Sequence, residues 1–304
     1  MDVLASTSIR NGFDSVFKEV VDGQRMNLKN NNCVRLFCLD ISNNEFSYAG
    51  LHQFLQRNVG RYVFSRATIE QFISDGDADA IGLKAIELLR QASNPDDNGA
   101  GGELGEILLY LFLEQKLNAP KLLSKVELKT TKNQYVFGSD GVHLLSLGNK
   151  MFQLVLGESK IKGDLKDAVK EAFESIQKVS NDTGNEIRLI ERNILAESFN
   201  PETTELIKSI IVPSKRDLNT GVDNAFGVFL GYTLDVDSKG YSNSDFRLAV
   251  ATKVENDLKS IATHIENKIN KLNMSGYSFY FYILPFNNAS ADRATIIQKL
   301  KGEM

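Results

Sequence analysis

From Glu103 to Lys116 the apolar residues Leu104, Ile107, Leu108, Leu111 and Phe112 recur every three or four positions, which predicts a helix with one stripe turned to a core. A second such pattern, over about 165–179, sets Leu165, Ala168, Val169, Ala172, Phe173 and Ile176 on one face. Between the two helices, apolar runs bounded by turn residues predict strands over 122–130, 141–147 and 152–161. Helix, three strands and helix is the α/β order of a sheet flanked by helices. Ahead of this unit the chain predicts a strand at 34–41, an aromatic-rich stretch GRYVFSR at 60–66 and a helix at 78–91. Behind it come helices near 186–195 and 202–210, the strand FGVFLGYTLDV, a long helix over 245–272, the apolar strand YSFYFYILPF and a closing helix in ADRATIIQKLKGEM. Both aromatic runs are expected in the core. The segment SNPDDNGAGG cannot continue a helix and marks a boundary. It divides an N-terminal α/β subdomain at 1–93, a candidate for partner docking, from a domain at 94–304 that ends in a strand and helix extension.

Composition narrows the class. With 42% hydrophobic and 24% charged residues in 304, the chain is an ordinary globular protein rather than a disordered one. No apolar run reaches the roughly 18 residues that cross a bilayer, and the start MDVLASTSIRNGFDSV has no basic segment leading into an apolar core. A cytoplasmic protein without membrane contact is therefore expected. Cys33 and Cys38 lie in a strand pattern, and with three scattered histidines they make no zinc set. The net charge of −4 matters more, because proteins that grip nucleic acid unaided usually carry a basic excess. Any DNA binding must be local or assisted. Lysines gather at Lys116, Lys121, Lys125, Lys129 and Lys132, and again at Lys160, Lys162, Lys166 and Lys170. Such runs are ordinarily solvated faces; Lys162 and Lys166 have the alternative role of meeting backbone phosphates.

The chemistry concentrates in the strand FQLVLGESK. Side chains alternate along a strand, so Phe152, Leu154, Leu156, Glu158 and Lys160 share one side. Ionisable groups that follow core residues on the same face are costly unless paired or bound to metal. A Glu-x-Lys at a core's edge meets that requirement, with the carboxylate on a divalent cation and the ammonium near an attacking water. In GSDGVH, Asp140 shares a face with Val142 and Leu144 and is flanked by a turn and glycine. Two carboxylates from adjacent strand ends suit Mg²⁺, which keeps several waters when few acids bind it, and one of those waters is a candidate nucleophile. Mn²⁺ is the alternative ion. On the helix, Glu103 and Glu106 lie three apart with Tyr110 four beyond. Glu103 reads more simply as an acid favoured by the helix macrodipole, and Glu106 as the functional acid. Tyr110 is either a hydrogen-bond partner of a site carboxylate or core, and His143 is a packed strand residue rather than a catalyst.

A helical Glu, an Asp on a strand, Glu-x-Lys on the next strand and then an amphipathic helix resembles the PD-(D/E)xK nuclease core. More narrowly, GGELGEILLYLFLE, FGSDGVHLL and LGESKI resemble the HamA family, the nuclease component of the Hachiman antiphage defence system, most strongly over 96–180. The resemblance implies a mixed sheet flanked by helices, as in restriction endonucleases, with N- and C-terminal additions. It implies a bacterial metal-dependent DNA endonuclease with Glu106, Asp140, Glu158 and Lys160 as catalytic positions, the three acids binding metal. Glu103, Tyr110 and Lys162 are secondary candidates, and Glu103 and Glu106 remain alternatives for the helical ligand. A HamB-like helicase in a heteromeric complex is the implied partner, and little sequence preference is expected. The rival reading is a non-catalytic subunit that docks on and regulates a helicase, its acids serving only in salt bridges.

Overall fold

The most apolar runs of the chain form the middle of a mixed sheet in the computed structural model, which describes residues 4–20, 24–25, 30, 32–92, 102–130, 138–184, 187–188, 201–216 and 219–303. Its described strands are β1 (Lys18–Glu19), β2 (Gln24–Arg25), β3 (Cys33–Cys38), β4 (Ile41–Ser42), β5 (Glu45–Phe46), β6 (Gly141–Gly148), β7 (Met151–Ile161), β8 (Gly221–Thr233) and β9 (Ser278–Phe286). The described α-helices are α1 (Phe13–Val16), α2 (Ala49–Val63), α3 (Arg66–Ser74), α4 (Ile81–Ala92), α5 (Glu103–Gln115), α6 (Lys125–Thr130), α7 (Leu165–Asn181), α8 (Pro201–Ile211), α9 (Asn243–Lys271) and α10 (Ala289–Lys301).

The main sheet has the order β1-β3-β9-β8-β7-β6, with β2 also paired to β3. β7, β8, β9 and β3 run parallel to one another, and β6 closes one edge antiparallel to β7. Every residue of β9 is buried, as a parallel strand covered on both faces requires. On one face α5 sets the Phe112 ring against Phe229 at 5.7 Å and Tyr282 at 5.2 Å. On the other, α7 sets Phe173 against Phe279 at 5.8 Å and Phe281 at 6.1 Å. β3 precedes residue 93, yet it pairs directly with β9, Val34 opposite Phe281, so both ends of the chain enter one sheet.

The predicted strands at 141–147 and 152–161 are β6 and β7, the predicted helix at 165–179 is α7, and those at 202–210 and 245–272 are α8 and α9. The predicted helix at 186–195 lies largely outside the described residues, as do the boundary segment at 93–101 and Lys132. One prediction is corrected: 122–130 is not a strand. Leu122 does donate its amide to the Val142 carbonyl at 2.8 Å, but pairing stops there and Lys125–Thr130 turns into α6. The cause is tertiary, since Glu127 accepts hydrogen bonds from the Ser65 amide and the Thr68 hydroxyl, both at 2.5 Å, tying α6 to the start of α3. GRYVFSR is core, as expected, but spans the end of α2 and the start of α3. Gly60 in that stretch is required by close approach, for a Cβ there would lie 2.4 Å from the Ile81 side chain of α4.

Candidate active site

Along β7 the alternation divides two helices between two faces. Gly157 and Ser159 meet α5: a Cβ at Gly157 would fall 2.8 Å from Leu109, and one at Gly105 would fall 2.9 Å from the Ser159 hydroxyl. Glu158 and Lys160 turn the other way, where Ser175 of α7 hydrogen-bonds Glu158. Asp140 sits just before β6. Its amide donates to the Gly157 carbonyl at 2.7 Å although Gly141 is the residue paired with Gly157, so the regular pairing ends at Gly141, and the charge of Asp140 still reaches Glu158. The Asp140 carboxylate is oriented by Ser159, whose amide and hydroxyl both donate to Oδ2 at 2.8 Å.

Glu158 is only 3% exposed, and Lys160 Nζ donates to its Oε1 at 2.5 Å. Burial, reinforced by the negative charge of Asp140, pushes the Glu158 carboxyl up to about 7 against the opposing pull of Lys160 and Ser175. Burial by itself would lower the Lys160 pKa. Glu158 and then Asp140 more than offset it, so the ammonium holds its proton above the usual lysine range.

From α5, Glu106 accepts a hydrogen bond from the Tyr62 hydroxyl at 3.0 Å and lines a cleft with Asp140, Lys125 and His143. Glu103 is held instead by Lys301 of α10, whose buried ammonium reaches both carboxylate oxygens at 2.8 and 3.0 Å. Glu106, not Glu103, therefore shares a cleft with Asp140. Tyr110 belongs to the core: its hydroxyl bonds Thr7 Oγ1 at 2.8 Å rather than a site carboxylate. Lys162 pairs with Glu171 at 2.8 Å, and Lys166 lines a separate cleft with Asp164, Lys253 and Asp257. Lys121 and Lys125 are buried and not a solvated face. Lys121 Nζ donates to the Arg61 and Phe64 carbonyls at 2.6 and 2.7 Å, and Lys125 Nζ donates to the Ser139 carbonyl.

Among the described residues no three histidine, cysteine or acidic side chains stand close enough to form a metal cluster. Asp140 and Glu158 nevertheless form a pair whose chemistry suits a hard divalent cation. The negative charge of Asp140 bears on Glu158, and the Asp140 hydrogen bonds engage Oδ2 alone.

A family model for HamA matches residues 14–300. The chain belongs to the HamA family. The match takes in the main sheet from β1 to β9 and every residue of the site, and membership makes this chain a component of Hachiman antiphage defence. No curated protein matches the chain significantly. Among the described residues of this HamA-family chain, no helix is long and apolar enough to cross a membrane.

Two residues around this HamA site carried no local signal. Tyr62 is buried, and its pKa is raised far above the usual value, first by burial and then by Glu106, with Asp140 and Glu103 adding to it. Glu114 is fully buried on α5, where the period-3.6 pattern shows only an acid inside an apolar run. It accepts from the Ser6 hydroxyl, from the Thr7 amide and hydroxyl at 2.8 Å each, from the Ser8 amide and from the Lys121 amide. Burial would raise its pKa, but these donors win and hold it below the usual carboxylate range. Beside it His143, buried and bonded through Nδ1 to the Ala119 carbonyl at 2.8 Å, is lowered by burial to about 4 and stays neutral, the packed residue the sequence predicts.

Proposed function

We propose that this HamA-family chain is a Mg²⁺-dependent DNA endonuclease with little sequence preference, delivered to its substrate and restrained by a helicase partner. The observation that carries the reading is the buried Glu158, bonded by Lys160 and within reach of the charge of Asp140. Asp140 and Glu158 are the residues to hold the ion, with Glu106 the third carboxylate on the α5 side. When bound, the ion supplies a water of lowered pKa and neutralises charge on the phosphate. The chain's own groups do the rest. Ser159 fixes the orientation of Asp140, while Ser175 and Lys160 fix that of Glu158. The protonated Lys160 ammonium is a donor to a phosphate oxygen or attacking water, where its charge favours a transition state richer in negative charge. A net charge of −4 supports a substrate brought by a partner rather than captured from solution.

A second reading has its own support. No described trio of acids is grouped for a metal, and Glu158 is already neutralised by Lys160, as in a chain that only docks on a helicase. Plasmid cleavage with Mg²⁺, with EDTA and with Glu158→Ala and Lys160→Ala proteins, each with and without the helicase, separates the two. Nicking that needs Mg²⁺ and disappears in both variants is expected. Cutting that survives the substitutions refutes the site, and no cutting under any condition favours docking.

A further inference from the structure

Next to the Glu158–Lys160 pair lies a cleft of about 220 Å³, lined by Gly105, Ser159, Lys160, Lys162, Glu171 and Arg293 among others. Its lining carries three cations against the single carboxylate of Glu171, which is occupied by Lys162. Arg293 stands apart from the other two cations. It takes no part in any ion pair among the described residues, and its Nε is buried with no hydrogen-bond acceptor. A buried guanidinium N–H without a partner is rare and costly, and the side chain that carries it lines a cleft rich in cations. Arg293 is also held in place. Its helix α10 is fixed at one end by Tyr48 on Asp292 at 2.5 Å and at the other by the Lys301–Glu103 pair, so the side chain projects from a rigid element.

We propose that this cleft holds a backbone phosphate of a nucleic-acid strand next to the one at Asp140 and Glu158, with Arg293 as its anchor and Lys162 as the second cation. The planar fork of arginine matches two phosphate oxygens, and such contacts position a strand without reading its sequence. The inference rests on the nuclease reading above, because that reading puts a nucleic-acid strand at Lys160, which lines both places.

The test is the affinity of the full chain for labelled duplex and single-stranded DNA in EDTA, where no cleavage occurs, across a series of salt concentrations. Arg293→Ala is expected to bind about tenfold more weakly on the preferred strand form, with the slope of log affinity against log salt reduced by about 0.7–0.9, the loss of one phosphate contact. Arg293→Lys should fall between. Arg293→Ala should melt with the wild type, since no described partner is lost. An affinity and salt slope unchanged by Arg293→Ala overturns the inference, as does a wild-type chain that binds neither DNA form. Competition with inorganic phosphate separates the sources: if Arg293→Ala loses phosphate binding but keeps DNA binding, the cleft is a small-anion site and the nucleic-acid assignment falls. If Glu158→Ala still cuts DNA, the catalytic reading fails, while the affinity measurements continue to decide the role of Arg293.

Discussion

Replacing Glu158 by glutamine removes a titration that the fold opposes. The carboxyl has an ordinary value of 4.5 and is pushed to about 7, chiefly by burial and then by Asp140. At about 1.4 kcal/mol for each tenfold change in an ionisation constant, that displacement corresponds to about 3 kcal/mol. A carboxyl whose folded pKa lies above its unfolded one binds its proton more tightly in the folded chain. The stability it contributes is therefore complete below about pH 4.5 and is lost as the pH rises through about 7. Urea unfolding followed by circular dichroism, suited to a chain with no tryptophan, measures this without added metal from pH 4 to pH 8. The wild type should lose about 3 kcal/mol more than Glu158→Gln across that window. Mg²⁺ should flatten the wild-type slope and leave the variant unmoved, because a cation between Asp140 and Glu158 favours the ionised pair. Parallel profiles for the two proteins would refute the argument that Glu158 is a buried acid carrying an unfavourable charge.

Other perturbations test the supports of the site. Gly105→Ala puts a Cβ 2.9 Å from the Ser159 hydroxyl, and should cost about 1–3 kcal/mol in chemical denaturation and lower Mg²⁺-dependent nicking by displacing the Asp140 donor. Ser159→Ala leaves the amide bond to Asp140 and removes the hydroxyl bond, so it should cost about 1 kcal/mol and slow cleavage about tenfold, read by the same two assays. Glu103→Ala takes from the buried Lys301 ammonium a carboxylate that it bonds through both oxygens and should lower stability by about 2–3 kcal/mol, while Glu106→Ala should act mainly on cleavage; equal stability losses would erase the distinction between the two acids. Glu114→Gln presents an amide to donors that need a carboxylate and should cost about 3 kcal/mol, with faster hydrogen exchange over Ser6–Ser8 as the local signature.

Periodicity determined the elements whose burial is one-sided or complete. Five apolar residues at helical spacing defined α5, the alternation in FQLVLGESK defined β7 and its faces, and the unbroken apolar run of YSFYFYILPF required a covered strand. These patterns are legible because each residue's burial repeats with the geometry of its own backbone. The same alternation put Glu158 and Lys160 together, and they are bonded in the fold. Where tertiary contacts outweigh local preference the sequence misled, as at 122–130, where Glu127 on the α3 cap turns an apparent strand into α6. Only the folded chain put Glu106, and not Glu103, in the cleft with Asp140, because the placement depends on Lys301 and Tyr62, each remote in sequence and each contributing one side chain. It also decided that Glu114 and Lys121 are buried anchors and that Arg293 lines a cleft with its Nε lacking a hydrogen-bond partner among the described residues. A pattern of single residues records which face a side chain takes, but pairing between distant side chains is set by how elements stack, and that information lies in packing alone.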